Sequence, residues 1–525
     1  MSPLSTPGVY VVETSAFAAP TPVATAVPVF IGYTPGIAAQ IAKRGPNQAV
    51  KIGSWLEFLA CFGLPDPADA TGRTAAPDRL QYQPIYFAVP AANPPQGDVI
   101  LGTALYDLQP DSGTIYALYS SVKLFYANGG GNCYIVSVGK QGDGPARGAA
   151  KGATEPLVNP NVSLAGLLAG LAVLEREIEP TILVFPDAIL LSATDNAQLN
   201  QAALAHCGKM QSRVALLDII GGDRPNPQQW GADVAAFRAG LGMDSLNYGI
   251  AYYPFLKTTI TLPADITHQN LGGGAPALRG LLPITADADG VALQRLLPLL
   301  DQPTGASPSQ LENDLLALSP VYAVLRDAIL ARVNVLAPSG ALAGIYTAVD
   351  AASGVWTAPA NVGLQAVTDT TFNLSDADQS GLEIDPLGKS INAIRNFPDR
   401  GILVWGARTL DGNSQDWRYV NVRRTLIFIE QSIKRMLQQK VFAPNNADTW
   451  YVVRDQLTDF LSGLWSQGAL VGATPAEAFS VALGLGQTMT AQDILDGYMR
   501  VSVKLAVAHP AEFIVITLQQ QMETA

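Results

Sequence analysis

The segments TILVF (181–185) and VALLDI (214–219) are short apolar runs, and each follows a longer stretch with helical periodicity, at 164–178 and 195–212. The chain thus repeats the order helix, strand, helix, strand. Helices that alternate with short apolar strands are typical of a parallel or mixed sheet covered on both faces. The middle of the chain is therefore predicted to be α/β.

The same pattern extends outward from these segments. Residues 27–31 form an apolar run that predicts a buried strand, and Ser54 and Glu57 have the spacing of a capping box at the start of a short amphipathic helix. Residues 115–126 predict a helix, and a strand is predicted at 133–138. The glycine run between them, 129–131, is interpreted as a helix C-cap followed by a turn.

The length of the chain, 525 residues, exceeds one ordinary core and predicts about three domains. Residues 64–114 are rich in proline, aspartate, glycine and alanine and predict an inserted surface subdomain. Farther on, a helical pattern over 309–336 is interrupted by Pro320. The predicted division is an N-terminal arm (1–20), a middle α/β domain (21–63 and 115–337), the insertion (64–114), a C-terminal domain (338–508) and a C-terminal arm (509–525).

Composition restricts the class of protein. Hydrophobic residues make up 48% of the chain and charged residues only 14%, so we expect other chains to cover much of its surface. A net charge of −12 argues against a nucleic-acid binder. The N-terminus lacks the features of a secretory signal, and the longest apolar run, 162–174, is too short to span a bilayer. Cys61, Cys133 and Cys207 stand far apart and are expected to be structural thiols in a reducing compartment.

No motif predicts catalysis, a cofactor or a metal. Gly388-Lys389-Ser390 matches the end of a phosphate loop, but Glu383 stands where the first glycine belongs. The acidic turns 376–381 and 285–290 lack the twelfth-position glutamate of a calcium loop and are predicted to cap helices. The histidines stand alone, without the spacing of a metal site; they are His206, His268 and His509.

Each end of the chain carries a short β-rich run without a neighbouring strand in the sequence. The first consists of Val9, Tyr10, Val11, Val12 and Glu13, and the second of Phe513, Ile514, Val515, Ile516, Thr517 and Leu518. Five or six extended residues cannot hold a strand position alone, and an unpaired apolar strand promotes aggregation. Both runs therefore require a partner sheet.

A helix near residue 430 combines an apolar stripe with basic residues. The stripe consists of Val422, Leu426, Ile429, Ile433 and Leu437, and the basic residues that fall mostly outside it are Arg423, Arg424, Lys434, Arg435 and Lys440. A basic face on an acidic protein suggests an acidic partner. The alternative is that these side chains are solvated or form salt bridges within the chain.

Several strings in the C-terminal third occur in an informative order. They are PSGALAGIY (338–346), GVWTAPAN (354–361), INAIR (391–395), GILVWGARTL (401–410), WRYVNVRR (417–424), VFAPN (441–445) and PAEF (510–513). With PGVYVVE (7–13), their order and spacing closely resemble the contractile tail sheath family of phages, R-type bacteriocins and extracellular contractile injection systems. One departure is Ala443, where the family commonly has glutamate.

This resemblance implies a structural subunit and not an enzyme. It implies a mixed α/β fold with an inner core formed by the N- and C-terminal parts, a middle α/β domain and an outer insertion. The two terminal strands would be exchanged between subunits, and the basic helix would contact an inner tube. Implied partners are further copies of the chain, the tube, the baseplate and a tail-terminator or cap protein. The chain would assemble in the bacterial cytoplasm and become part of a virion tail or a tail-like particle, without binding nucleic acid or inserting into a membrane.

Two alternatives remain open at this stage. The chain could be an α/β enzyme, such as a hydrolase or a nucleotide-binding protein, with its site in 64–114 or 260–337, where the resemblance is poor. It could also be a binding module, such as a decorated capsid or tube subunit.

Overall fold

The structure, a computed structural model, describes residues 22–64, 80, 82–91, 97–140, 157–223, 230–300 and 307–512. These residues form two compact units. The large unit comprises residues 25–424 with 509–512, and the small unit comprises 425–508 with 22–24. Both units combine helices and strands, and the predicted mixed α/β class is confirmed.

The strands of the described chain are β1 (Pro28–Gly32), β2 (Ala49–Ile52), β3 (Tyr86–Pro90), β4 (Val99–Leu101), β5 (Ala104–Pro110), β6 (Cys133–Ser137), β7 (Ile182–Val184), β8 (Val214–Leu217), β9 (Gly249–Tyr253), β10 (Leu256–Thr258), β11 (Val335–Leu336), β12 (Val362–Gly363), β13 (Val367–Thr370), β14 (Asn392–Phe397), β15 (Gly401–Trp405), β16 (Phe479–Ala482) and β17 (Ser502–Leu505).

The helices are α1 (Ala39–Ala42), α2 (Trp55–Phe62), α3 (Ala117–Ala127), α4 (Leu164–Val173), α5 (Ala193–Met210), α6 (Trp230–Gly240), α7 (Gly274–Leu281), α8 (Ala288–Leu296), α9 (Pro308–Leu318), α10 (Pro320–Val333), α11 (Ser339–Ser353), α12 (Asp376–Glu383), α13 (Val420–Gln438), α14 (Ala447–Ser466), α15 (Pro475–Ala478) and α16 (Ala491–Leu495). The predicted interruption at Pro320 is confirmed, since it separates α9 from α10.

A large sheet organises the large unit. Within the described residues it has nine strands in the order β2-β6-β1-β7-β8-β9-β14-β15-β12. The pairs from β6 to β14 are all parallel, whereas β2, β15 and β12 add antiparallel edges. Every residue of β1, β6, β7, β8 and β9 is buried, as expected for parallel strands covered on both faces.

The large sheet continues across residue 338, where the sequence predicts a domain boundary. The strands β12, β14 and β15 lie C-terminal to this position, yet they continue the same sheet as β1 and β9. The two compact units instead divide after Arg424. Sheet pairing, and not position along the chain, therefore defines the large unit.

The inserted segment is not an independent subdomain. Its strands β3, β5 and β4 form a three-stranded antiparallel sheet within the described residues. Buried side chains of this sheet, such as Tyr86 and Leu108, belong to one apolar cluster with Leu278, Leu315 and Ile329 from α7, α9 and α10. The predicted insertion and the segment 266–333 therefore share a core.

Glycines allow α11 to approach α3 closely. A Cβ atom at Gly340 would overlap the carbonyl oxygen of Ser121, and one at Gly344 would lie 2.6 Å from the carbonyl oxygen of Phe125. Glycine permits such close backbone approach because it has no side chain. The string PSGALAGIY thus has a packing role in the large unit.

Helix ends follow the predicted capping chemistry. Ser54 accepts a hydrogen bond from the amide of Glu57 at 3.2 Å, and Gly129 has the positive φ of 89° that suits a helix C-terminus. The side chain of Asp287 caps α8 by accepting a hydrogen bond from the Gly290 amide at 2.8 Å. Ser375 and Asp378 form a capping box at α12. The prediction that both acidic turns cap helices is confirmed.

The small unit has its own core. Met436 of α13, Val453 and Leu457 of α14, and Leu483 and Met489 from the following segments form a buried apolar cluster. The strands β16 and β17 pair antiparallel beside this cluster. The aromatic rings of Phe428 and Phe460 add a contact between α13 and α14, with centroids 6.2 Å apart.

A buried carboxylate links the end of β8 to the start of α11. Asp218 accepts hydrogen bonds from the Ser339 backbone amide at 3.1 Å and from the Ser339 hydroxyl at 2.5 Å. Burial raises the pKa of Asp218 to about 7, although both hydrogen bonds oppose this shift. The folded state therefore binds a proton at Asp218 more tightly than the unfolded chain does, where the pKa is about 3.9.

The raised pKa of Asp218 predicts a specific pH dependence. The free energy of unfolding should fall as pH rises from about 4 to 7, by at most about 1.4 kcal/mol per pH unit from this group. We expect Asp218→Asn to flatten the dependence in this window when chemical denaturation is measured at several pH values. Asp314→Asn, which alters an exposed carboxylate, is the control and should keep the wild-type slope. An unchanged slope in the Asp218 variant would contradict the assignment.

Candidate assembly surfaces

Arg424 is buried in an ion pair within the large unit. Its guanidinium contacts both carboxylate oxygens of Asp350, at 2.9 and 2.6 Å, and the two side chains are only 3% and 4% exposed. The guanidinium also lies over the Tyr346 ring, 4.8 Å from its centroid, and donates to the carbonyl oxygen of Thr25. This arginine has a structural role.

Arg423 is buried as well. Its guanidinium lies 4.6 Å from the centroid of the Tyr248 ring and 4.5 Å from that of Trp417. Cation–π contacts of this kind become stronger when the cation is desolvated. Arg423 and Arg424 are therefore not accessible for the predicted contact with an inner tube, because both side chains are buried within the described chain.

The other three basic residues lie in the small unit and differ in exposure. Lys434 and Arg435, on the last two turns of α13, are exposed, and Lys440 is partly buried. Within the described residues, neither Lys434 nor Arg435 forms an ion pair. Only this end of the predicted basic face is open to a partner.

Glu512 is fixed to the large unit. Its carboxylate forms a bidentate ion pair with Arg408, with both N–O distances at 2.7 Å. It also accepts a hydrogen bond from the Tyr419 hydroxyl at 2.9 Å. The Arg408 and Glu512 side chains are 9% and 19% exposed. The sequence does not predict this pair, although both residues lie within the quoted strings, because one sequence does not show which charges meet.

The two predicted exchange strands, 9–13 and 513–518, lie outside the described residues. Glu512 immediately precedes the second one. The Arg408–Glu512 pair therefore fixes the point from which residues 513–518 continue.

The sheet β16–β17 presents backbone edges. Phe479 to Ala482 pair antiparallel with Leu505 to Ser502, and no other described strand joins this sheet. Two strands alone have marginal stability, and added strands would satisfy the outer amides and carbonyls. This sheet is the candidate acceptor for an exchanged strand.

The chemical motifs singled out in the sequence have structural roles. Lys389 is buried, and its ammonium group donates a hydrogen bond to the carbonyl oxygen of Arg238 at 2.6 Å. This lysine is therefore not available to bind a phosphate. His268 contacts Glu312 at 3.1 Å, and His509 packs edge-on against Tyr419. Burial and the charge of Arg213 lower the pKa of His206 to about 4.

The three cysteines are free, and burial raises the pKa of Cys133 and of Cys207 to about 12. Within the described ranges, no group of three His, Cys, Asp or Glu side chains could hold a metal ion. In the same ranges, no helix combines the length and the apolarity needed to cross a membrane.

A cavity of about 80 Å³ lies where the enzyme alternative would place a site. It is lined by residues that follow β7, β8 and β9 and by residues of the inserted sheet and α10, and Arg332 and Asp223 are its charged groups. Its described lining contains no histidine or cysteine that could act as a base or nucleophile beside its serines. No specific observation favours catalysis there.

Comparisons with known proteins agree with these features. Residues 413–521 match the family described as the phage tail sheath C-terminal domain. A prophage major tail sheath protein of Pseudomonas aeruginosa strain UCBPP-PA14 is 28% identical over 138 residues, which is 26% of this chain. The match spans 35% of the length of that relative.

Solved structures extend the similarity to nearly the whole chain. The sheath complex of the extracellular contractile injection system PVC, in its contracted state, is 24% identical with a TM-score of 0.58, and 99% of each chain is covered. The helical sheath of the anti-feeding prophage in its contracted state is 25% identical with a TM-score of 0.56, covering 99% of this chain and 100% of the other. A chain of the contracted anti-feeding prophage baseplate is 24% identical with a TM-score of 0.60, covering 98% and 99%.

The fold is therefore that of the contractile sheath proteins. The resemblance to the contractile tail sheath family, predicted from the sequence strings, is confirmed by these matches. Within this class, the full-length similarity includes the sheaths of PVC and of the anti-feeding prophage.

The buried Arg424–Asp350 pair predicts a large loss of stability when one partner is removed. Asp350→Ala should lower the free energy of unfolding by about 3–5 kcal/mol, because it leaves a buried guanidinium without its counter-ion. The control is Lys51→Ala, which breaks the exposed pair with Glu179 and should cost less than about 1 kcal/mol. Chemical denaturation measures both values, and similar small losses in the two variants would contradict a structural role for the buried pair.

Proposed function

We propose that this chain is the structural sheath subunit of a contractile injection machine. Copies polymerise as an extended, metastable helix around an inner tube and then contract to drive the tube through a target envelope. The observation that carries this proposal is the similarity, over 99% of the chain, to the helical sheath of the anti-feeding prophage. Negative-stain microscopy of the expressed protein tests it: hollow cylinders are expected, and a strictly monomeric product would contradict it.

The energy of contraction resides in the packing between subunits. The large unit acts as a rigid body, because its sheet is buried on both faces and a packed core does not deform continuously. Two discrete arrangements of such bodies can differ by a few kcal/mol per contact without any change in the fold. The proposed stroke therefore needs no nucleotide and no catalytic residue.

Strand exchange keeps neighbouring subunits connected during this movement. Val9 to Glu13 and Phe513 to Leu518 would each add a strand to a sheet of another copy, and the sheet β16–β17 has edges suited to this role. Each backbone hydrogen bond contributes about 1 kcal/mol, so a few of them hold the contact while the subunits reorient. Support comes from the fixed position of Glu512 at the start of the second strand.

The proposed partners follow from this arrangement. They are further copies of the chain, an inner tube protein, the baseplate and a tail-terminator or cap protein. Assembly would take place in the bacterial cytoplasm, and the sheath would then form part of a virion tail or a released tail-like particle. Direct binding to nucleic acid and insertion into a membrane are not part of the proposal.

Strand exchange predicts that the C-terminal strand is needed for assembly and not for folding. Deletion of residues 513–525 keeps Glu512 and should abolish cylinders while the circular dichroism spectrum remains that of the wild type. Ile516→Pro, which removes one backbone donor from the strand, should weaken assembly similarly. The matched control is Gln520→Pro, outside the predicted strand, which should assemble. Normal cylinders from the deletion variant would contradict strand exchange.

Contact with the inner tube would use the open end of the basic face. Lys434 and Arg435 are exposed, and Lys440 follows two residues after the end of the same helix. Attraction between exposed charges is screened over about 10 Å at 0.1 M salt, which suits a contact that must be released.

Charge reversal tests this contact. Cylinders of Lys434→Glu/Arg435→Glu should retain less inner tube than the wild type, and wild-type retention should itself decrease as salt is raised. Arg454→Glu, an exposed change elsewhere in the small unit, is the control and should leave retention unchanged. Retention is measured by co-purification of the tube protein with sedimented cylinders. Equal, salt-independent retention in all samples would contradict the proposed tube face.

A further inference from the structure

The loop that follows α12 presents two aliphatic side chains to solvent. Ile384 is 68% exposed and Leu387 is 61% exposed. Both residues belong to the large unit and lie between α12 and β14. Single exposed aliphatic residues are ordinary, but two of them in one short loop mark a possible contact surface. We call this loop surface, defined by Ile384 and Leu387, the apolar ledge.

Hydrogen bonds hold the backbone of this loop in place. The Asp385 carboxylate accepts hydrogen bonds from the amides of Leu387 at 3.0 Å and of Lys389 at 3.1 Å. The Arg238 guanidinium donates to the carbonyl oxygens of Leu382 at 2.6 Å and of Lys389 at 3.0 Å. Because the loop is ordered before anything binds, a segment that covers the apolar ledge costs little conformational entropy on this side of the contact.

The last described residue, Glu512, lies next to this loop. The Arg408 guanidinium binds the Glu512 carboxylate with both N–O distances at 2.7 Å, and it also contacts the carbonyl oxygen of Glu383 at 3.5 Å. Glu383 directly precedes Ile384, and Glu512 directly precedes Phe513. One guanidinium therefore holds both the residue before the apolar ledge and the residue before the C-terminal segment.

The C-terminal segment has a composition suited to the apolar ledge. Residues 513–518 consist of five apolar residues and one threonine, without a charge. Consecutive Cα atoms are about 3.8 Å apart, so Phe513 starts within one residue of the fixed Glu512. A contact over so short a tether has a high effective concentration and is favoured over contact with a separate molecule. Covering Ile384 with an aromatic ring also removes apolar surface from water.

We propose that the C-terminal segment docks on the apolar ledge of its own large unit, with the Phe513 ring against Ile384. Docking fixes the direction in which residues 514–518 leave the large unit. The docking itself does not depend on the proposed function, but its role in assembly rests on it. A strand that leaves in a fixed direction loses less conformational entropy when it joins the sheet of another copy.

Disulfide trapping in the unassembled full chain tests the docking. Ile384→Cys is combined with Phe513→Cys or, as the matched control, with Ile514→Cys, and Cys61→Ser removes the one native cysteine that is not buried. Successive side chains of an extended segment point to opposite sides, so only position 513 should face the apolar ledge. We expect the variant with Phe513→Cys to form its disulfide several times faster than the control. Equal rates, or a faster reaction at position 514, would overturn the docking.

A mixing experiment identifies which copy supplies the segment. Chains with Ile384→Cys alone are mixed with chains with Phe513→Cys alone, both carrying Cys61→Ser, at the same total concentration. Little disulfide-linked dimer between positions 384 and 513 is expected, because each apolar ledge is covered by its own chain. A dimer that forms as fast as the intrachain disulfide would show that a second copy is the occupant, and it would overturn the proposal.

Protease access gives a readout without engineered thiols. Chymotrypsin cleaves after aromatic residues, and Ile384→Ser should speed its cleavage after Phe513 several-fold without lowering the unfolding temperature, because Ile384 is exposed. Ile178→Ser changes an isoleucine that is 78% exposed elsewhere in the large unit and should be cleaved like the wild type. Unchanged cleavage in Ile384→Ser would contradict the docking. All three measurements use the unassembled chain, so a failure to form cylinders would contradict the proposed function alone.

Discussion

Parallel strands buried on both faces are the constraint on which the large unit depends. No residue of β1, β7, β8 or β9 contacts solvent appreciably, so helices must cover both sides of the sheet. Polar groups at the strand ends must find partners inside the protein, as Asp218 does with Ser339. A core of this kind resists deformation, and the movement that the proposed function needs is therefore assigned to contacts between subunits.

The centre of the sheet is predictable because its signal is local. The apolar runs that become β7 and β8 follow helical patterns, and the structure places α4 and α5 there. The outer strands are not predictable in this way, since β14 pairs with β9, which lies far from it in the sequence, with Asn392 opposite Tyr252. No short pattern specifies such a pairing, so the sequence does not show that strands on both sides of residue 338 belong to one sheet.

The assembly surfaces show the same limit. Helical periodicity places Arg423 and Arg424 outside the apolar stripe, which favours an exposed position, but the partner Asp350 lies 74 residues earlier in the chain and buries Arg424. Lys434 and Arg435 agree with the periodicity because no such partner reaches them within the described chain. The exposure of Ile384 is not predictable from the sequence either, since an aliphatic residue is ordinarily expected inside.

The position of Glu512 has a geometric consequence. Leu518 is six residues beyond Glu512, and a fully extended chain advances about 3.3 Å per residue, so the proposed strand could reach no farther than about 20 Å from Glu512. If this strand is exchanged as proposed, the Arg408–Glu512 pair would set the maximum separation between neighbouring subunits, while leaving them free to change their relative orientation.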